Sequence, residues 1–247
     1  MIRLLRYILL TVILSACTAH FHVSEVKSTH YELKSSKNDS IALLNTLPYK
    51  LKLDNEMKQV VAYSDSNLTK DGNDLSLGNF ACQSVEDYVR TNRNQIAGKH
   101  IIILNRGGLR NSIPIGEITK GHIFELMPFD NEIVIIKISG EKVMECIHSM
   151  VKDKKLISRN LSLTVKEDEL SDIKIWGIPF NIKEDYYVVT SDYLAMGGDN
   201  CGFFGKPISY ETTSLKLRDA IFNHCFALTK INKHIIPDKT IGIRISK

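Results

Sequence analysis

The chain has 247 residues, 43% of them hydrophobic and 24% charged, with a formal net charge of +4. That composition is ordinary for a globular protein and supplies apolar side chains for a sizeable core. Setting aside Arg3 and Arg6 at the start leaves 30 basic against 28 acidic residues, a balance too weak to argue for nucleic acid or an anionic surface as partner.

Residues 1–17, MIRLLRYILLTVILSAC, read as an export signal: two arginines, an apolar run from Tyr7 to Leu14, small residues, then a cysteine. The run is shorter than the roughly 20 apolar residues that a membrane-spanning helix needs. Leu14-Ser15-Ala16-Cys17 resembles the lipobox of bacterial lipoproteins, in which Cys17 becomes the lipidated first residue. The alternative is an ordinary cleaved secretory signal with a chance cysteine. Lipid chains contribute about 0.8 kcal/mol per buried methylene, so an acylated Cys17 would tie the protein to a membrane of the bacterial cell envelope. Residues 18–40 are polar and rich in Ser and Lys, with weak apolar alternation at Phe21, Val23, Tyr31 and Leu33. They read as a tether with room for a short strand.

From Ile41 the apolar density rises. Ile41, Leu44, Leu47, Leu51 and Leu53, with Met57 and Val60 beyond Pro48, predict helical pieces packed on a core. Ala81, Val85, Tyr88 and Val89 share one helical face. Ile101 to Leu104 is a short apolar run bounded by Asn105-Arg106-Gly107-Gly108, a buried strand entering a tight turn. A helix from Thr119 to Met127 is stopped by Pro128. The strongest strand signal is Ile133 to Ile138; Gly140 ends it, and Val143, Met144, Ile147 and Met150 mark a following helix. Strands are predicted at 161–165, 172–176 and 186–190. A last helix carries Leu215, Leu217, Ala220, Ile221 and Phe226, and a terminal strand runs from Ile241 to Ile245. Helices and strands alternate without a regular period or internal repeat, which predicts one mixed α+β domain over residues 41–247. Cys82, Cys146, Cys201 and Cys225 form no C-x-x-C pair and have no His at zinc-ligand spacing. They read as half-buried thiols, with a disulfide left open outside the cytosol.

Three segments carry more punctuation than a turn requires. Asn105-Arg106-Gly107-Gly108-Leu109-Arg110 offers a two-sided amide, paired glycines that let a ligand approach the backbone, and a planar guanidinium suited to carboxylate or phosphate, the alternative being a Gly-Gly turn flanked by a solvated Arg. It is neither a dinucleotide fingerprint nor a P-loop. Leu126-Met127-Pro128-Phe129-Asp130-Asn131 sets Phe129 at a Pro-fixed corner, where the ring either projects or packs into the core. Asp192-Tyr193-Leu194-Ala195-Met196-Gly197-Gly198-Asp199 follows a strand and ends in a second Gly-Gly turn, after which Asp199 either accepts hydrogen bonds from a diol or closes its own turn.

In this order the segments resemble the C-terminal domain of the 5'-nucleotidases, a family that includes UDP-sugar hydrolases and ecto-nucleotidases. Its pattern runs N-x-G-G-[IL]-R, G-x-[IL]-T, L-P-F-x-N and [YF]-L-A-x-G-G-D. The matches are Asn105 to Arg110, Gly116-Glu117-Ile118-Thr119, Met127 to Asn131 and Tyr193 to Asp199, and Leu77-Gly78-Asn79 is similar to the family's L-G-N element. The resemblance implies that Phe129 and Tyr193 are two plates between which a base stacks. It implies further that Asp199, beside Gly197 and Gly198, takes the ribose hydroxyls, and that Asn105 and Arg110 contact ribose and phosphate.

Two departures stand out. The basic residue common before the L-G-N element is missing, with Lys70 as a substitute. The D-x-H, G-N-H-[ED] and G-H-x-H signatures of the metallophosphoesterase half do not occur in this sequence. The resemblance therefore implies no catalytic residue, metal site or cofactor in this chain, with divalent metals on a separate metallophosphoesterase protein. The first functional expectation is the substrate-binding part of a hydrolase of nucleoside 5'-phosphates in nucleotide catabolism, inactive alone. The others are a non-catalytic surface lipoprotein that binds nucleosides or nucleotides, and a remnant whose pocket has lost its role.

Overall fold

The computed structural model describes residues 23, 25–32, 40–70, 75–96 and 98–246. The chain divides into two units, residues 1–45 and 46–247. Residues 23 and 25–32 carry no regular secondary structure. The expected export signal, its Cys17 and the rest of the tether lie outside the described residues.

Helix α1 (Ser40–Met57) continues through Pro48 and buries none of its residues. The helical pieces expected to pack on a core are thus one exposed helix, and Val60 belongs to strand β1 (Val60–Ser64). β1 pairs antiparallel with β3 (Gly116–Thr119). Thr119 also caps α3 (Lys120–Leu126): its hydroxyl accepts from the His122 amide, and the Thr119 N–H donates to the His122 ring. Histidine here fills the place that Glu or Gln takes in the usual capping box.

The centre of the larger unit is a five-stranded sheet ordered β10-β4-β9-β2-β5. Its strands are β2 (His100–Asn105), β4 (Glu132–Ser139), β5 (Leu156–Arg159), β9 (Asp185–Ser191) and β10 (Ser209–Lys216). Side chains alternate across a strand, so the inner strands β2, β4 and β9 each feed two cores. Ile102, Leu104, Ile133, Ile135 and Val189 face one core, closed by α2 (Ser76–Asn92), α3 and α6 (Leu217–Lys230). Ile101, Ile103, Val134, Ile136 and Val188 face the other, closed by α4 (Gly140–Asp153). Burial on both faces explains why Ile133 to Ile136 reads as an unbroken apolar run. In α4, Val143, Cys146, Ile147 and Met150 are the buried stripe at helical spacing.

The second core also receives a four-stranded sheet ordered β11-β6-β7-β8, made of β6 (Leu161–Lys166), β7 (Glu169–Ile175), β8 (Ile178–Pro179) and β11 (Ile243–Ser246). This is the mixed α+β architecture expected. The last helix starts later than expected: Leu215 belongs to β10, and Phe226 points outward at 58% exposure.

Candidate functional site

Strand pairing brings the three punctuated segments to one end of the central sheet. β2 and β9 run parallel, with His100 opposite Tyr187 and Ile102 opposite Val189, so their C-terminal ends coincide. β4 runs antiparallel to β9 with Ile133 opposite Ser191, which puts the start of β4 at that end too. The loops carrying Asn105–Arg110, Met127–Asn131 and Tyr193–Asp199 therefore leave the sheet side by side. The Arg110 amide donates to the Leu126 carbonyl at 2.7 Å, joining the first loop to the approach of the second.

After β9, Ser191 caps the short helix α5 (Asp192–Ala195) by accepting from the Leu194 amide at 3.2 Å. Gly197 at φ +95° turns the chain back, a conformation that glycine adopts without penalty. This return brings Asp199 under Tyr193. The Tyr193 hydroxyl donates to Asp199 Oδ1 at 3.2 Å and accepts from the Asp199 amide at 3.3 Å. A Cβ on Gly198 would lie 2.5 Å from Tyr193 Cζ, so the ring rests against that glycine. Asn105 Nδ2 donates to Asp199 Oδ2 at 2.7 Å, across 94 residues of sequence. Each carboxylate oxygen thus has one protein donor and a lone pair left for another.

The second group is Phe129 with Arg110. The guanidinium carbon lies 6.0 Å from the Phe129 ring centroid, at the outer range of a cation–π contact, and Arg110 Nη1 donates to the Gly107 carbonyl at 3.3 Å. Phe129 is 45% exposed and Tyr193 46% exposed, so neither ring is a core side chain. Burying an aromatic is strongly favourable, and two rings left half in water at one sheet end present open stacking surface. They stand on separate loops, one engaged by Arg110 and the other by Asp199 and Gly198. A cavity of about 640 Å³ lies further along, where β5 begins, lined by Leu75, Asn79, Arg106, Met150, Ile157 and Ile243 among others. None of the seven expected binding residues lines it.

Lys70 donates to the Leu109 carbonyl, beside Arg110. Leu77-Gly78-Asn79 lies in the first turns of α2, where Asn79 Nδ2 donates to the carbonyls of Asp238 and Thr240 and ties down the C-terminal segment. Lys216 and Arg218, which the sequence reading did not single out, both bond Asp130 next to Phe129. The signal that could have found them is only their charge at the opening of an apolar helix. Cys82, Cys146, Cys201 and Cys225 are all buried free thiols, more deeply placed than expected. Burial pushes Cys82 and Cys225 up to about 12 and Cys201 up to about 11. Among the described residues, no three His, Cys, Asp or Glu side chains are grouped to hold a metal ion, and no helix is long and apolar enough to cross a membrane.

Residues 53–206 match the family model described as "5'-nucleotidase, C-terminal domain". A 5'-nucleotidase of Vibrio vulnificus is 26% identical over 180 residues, 70% of this chain and 32% of the relative. Protein UshA of Yersinia enterocolitica is 31% identical over 109 residues, 42% of this chain and 20% of the relative. The chain thus spans about a fifth to a third of the length of these relatives. Among solved structures, a 5'-nucleotidase precursor from Thermus thermophilus shares the fold with a TM-score of 0.67 at 21% identity, over 84% of this chain and 43% of that one. The NAD nucleotidase of Haemophilus influenzae shares it with a TM-score of 0.60 at 15% identity, over 86% of this chain and 42% of that one. The chain belongs to the 5'-nucleotidase C-terminal domain family.

Proposed function

We propose that this chain is the nucleoside-recognition part of a 5'-nucleotidase-type hydrolase of nucleoside 5'-phosphates. The observation that carries the reading is the constellation at one sheet end: two half-exposed rings, Phe129 and Tyr193, beside the Asn105–Asp199 pair and Arg110. Stacking on an aromatic side chain is worth about 1–3 kcal/mol per base and suits any base. Asp199 keeps acceptor capacity for ribose hydroxyls, while Asn105 and Tyr193 hold its carboxylate in place. Arg110, exposed at the rim, offers a bidentate fork to a phosphate.

Water activation belongs, in this reading, to a separate metallophosphoesterase chain carrying divalent ions, so the residues here bind and orient the ester without making or breaking a bond. Residues 1–17 are proposed to direct export, and Cys17 to anchor the protein by lipid in the bacterial cell envelope. The test is purification of the native protein from membranes, followed by phosphate release from AMP with Mg²⁺ or Mn²⁺. The expected result is release by a co-purified complex and none by the single chain, which binds adenosine and AMP by calorimetry. Release by the single chain at the rate of full-length relatives would remove the two-chain reading, and failure to bind either compound would remove the nucleoside site.

A further inference from the structure

We propose that Arg218, seconded by Lys216, is a positioning residue for nucleoside binding: the β10–α6 junction, rather than the loop itself, sets the place of the Phe129 plate. This rests on the nucleoside reading of the site. Phe129 is too exposed for core packing to orient it, so its placement depends on the backbone on either side. That segment is held at three backbone carbonyls and one side chain around the ring. Arg218 Nη1 donates to the carbonyls of Met127 and Pro128, both at 3.3 Å. Its Nη2 donates to Asp130 Oδ1 at 2.6 Å, and Lys216 Nζ donates to Asp130 Oδ2 at 2.9 Å. The Leu217 amide donates to the Asn131 carbonyl at 2.9 Å. Every bond reaches the corner from residues 216–218.

The guanidinium is poorly explained as a surface charge. Arg218 is only 7% exposed, its carbon lies 4.3 Å over the Phe124 ring, and its Nε has no hydrogen-bond partner. Burying a cation with one donor unmet is costly. Planar donors spread over two carbonyls and a carboxylate, with an aromatic face beneath, give a directional hold that a lysine could not. The bonds from Lys216 and Arg218 also keep the Asp130 carboxyl below the usual carboxylate range, so the clamp stays charged through neutral pH.

The test measures adenosine affinity by calorimetry together with thermal midpoint for wild type, Arg218→Gln, Asp130→Ala, Phe129→Ala, and Phe129→Ala combined with each of the other two. Positioning predicts that Arg218→Gln weakens adenosine about tenfold and Asp130→Ala about threefold, and that neither weakens it further once Phe129 is Ala. A merely structural role would lower the midpoint without this non-additivity. Should Arg218→Gln fail to fold, Asp130→Ala, at an exposed carboxylate, and its double variant decide the question. Affinities within twofold of wild type in the clamp variants, or losses that add to that of Phe129→Ala, overturn the proposal while the nucleoside site stands. An unchanged affinity in Phe129→Ala sinks both.

Discussion

The two ends of β2 carry the same kind of polar cluster and treat it in opposite ways. At the first residue, His100 is fully buried; its Nδ1 donates to the Ile96 carbonyl at 3.0 Å and its Nε2 sits 2.8 Å from Glu86 Oε2. Asn160 donates to that same oxygen at 2.8 Å, and the Trp176 indole bonds the His100 carbonyl and packs against its ring. At the last residue, Asn105 is paired with Asp199 much as Asn160 is with Glu86. There the lid is missing: the neighbouring rings, Tyr193 and Phe129, face water. An amide bonded to a carboxylate is therefore no mark of function by itself. What separates the two ends is whether the cluster is sealed by the fold or offered beside exposed aromatic surface.

The largest expected effect breaks the sealed end. Glu86→Ala leaves buried His100 without its carboxylate and should cost about 3–5 kcal/mol of stability, read from denaturant midpoints, with the adenosine affinity of the folded protein unchanged. A smaller and opposite pattern is expected at the open end. Phe129→Ala and Tyr193→Ala should each weaken adenosine by about 1–3 kcal/mol while shifting the thermal midpoint little. A large midpoint loss without an affinity loss would return these rings to a structural role. Tyr193→Phe removes only the hydroxyl that locks Asp199, and about 0.5–1.5 kcal/mol of affinity should go with it.

The gentlest test of the comparison is pH. Burial opposes ionisation of Glu86, yet the bonds from His100 and Asn160 hold its carboxyl below the usual value. A depressed carboxyl contributes stability that is fully present above the ordinary glutamate pKa, about 4.3, and lost as pH falls through the lower folded value. Denaturant midpoints between pH 5 and pH 3 should fall more steeply for wild type than for Glu86→Gln. Equal slopes would show that the sealed end carries no such linkage.

The parts of the molecule that declared themselves in sequence did so through burial on both faces or through glycine. β4 carries the apolar run Ile133 to Ile136 because a core covers each side of it, and α4 repeats its apolar residues at helical spacing. Edge elements hid. β10 reads Ser-Tyr-Glu-Thr-Thr-Ser-Leu-Lys and is mostly exposed, so no periodicity betrays it, and Leu215 reads as part of the helix beyond. β1 follows α1 so closely that Val60 read as a helical continuation. In the candidate site, paired glycines and the family resemblance drew attention to Asn105, Arg110, Phe129, Tyr193 and Asp199. The hydroxyl lock between Tyr193 and Asp199 was invisible, because it depends on the Gly197 turn folding the chain back. The Arg218 clamp was invisible because its partners lie about 90 residues upstream.

The central claim, that the open end of β2 receives a nucleoside, is tested most directly by following backbone amide NMR shifts while adenosine is added to the purified chain. The prediction is saturable shifts concentrated at 105–110, 129–131 and 193–199, with the His100 and Glu86 region silent. Shifts confined instead to the cavity around Leu75, Asn79 and Ile243, or no saturable shifts at all, would contradict it.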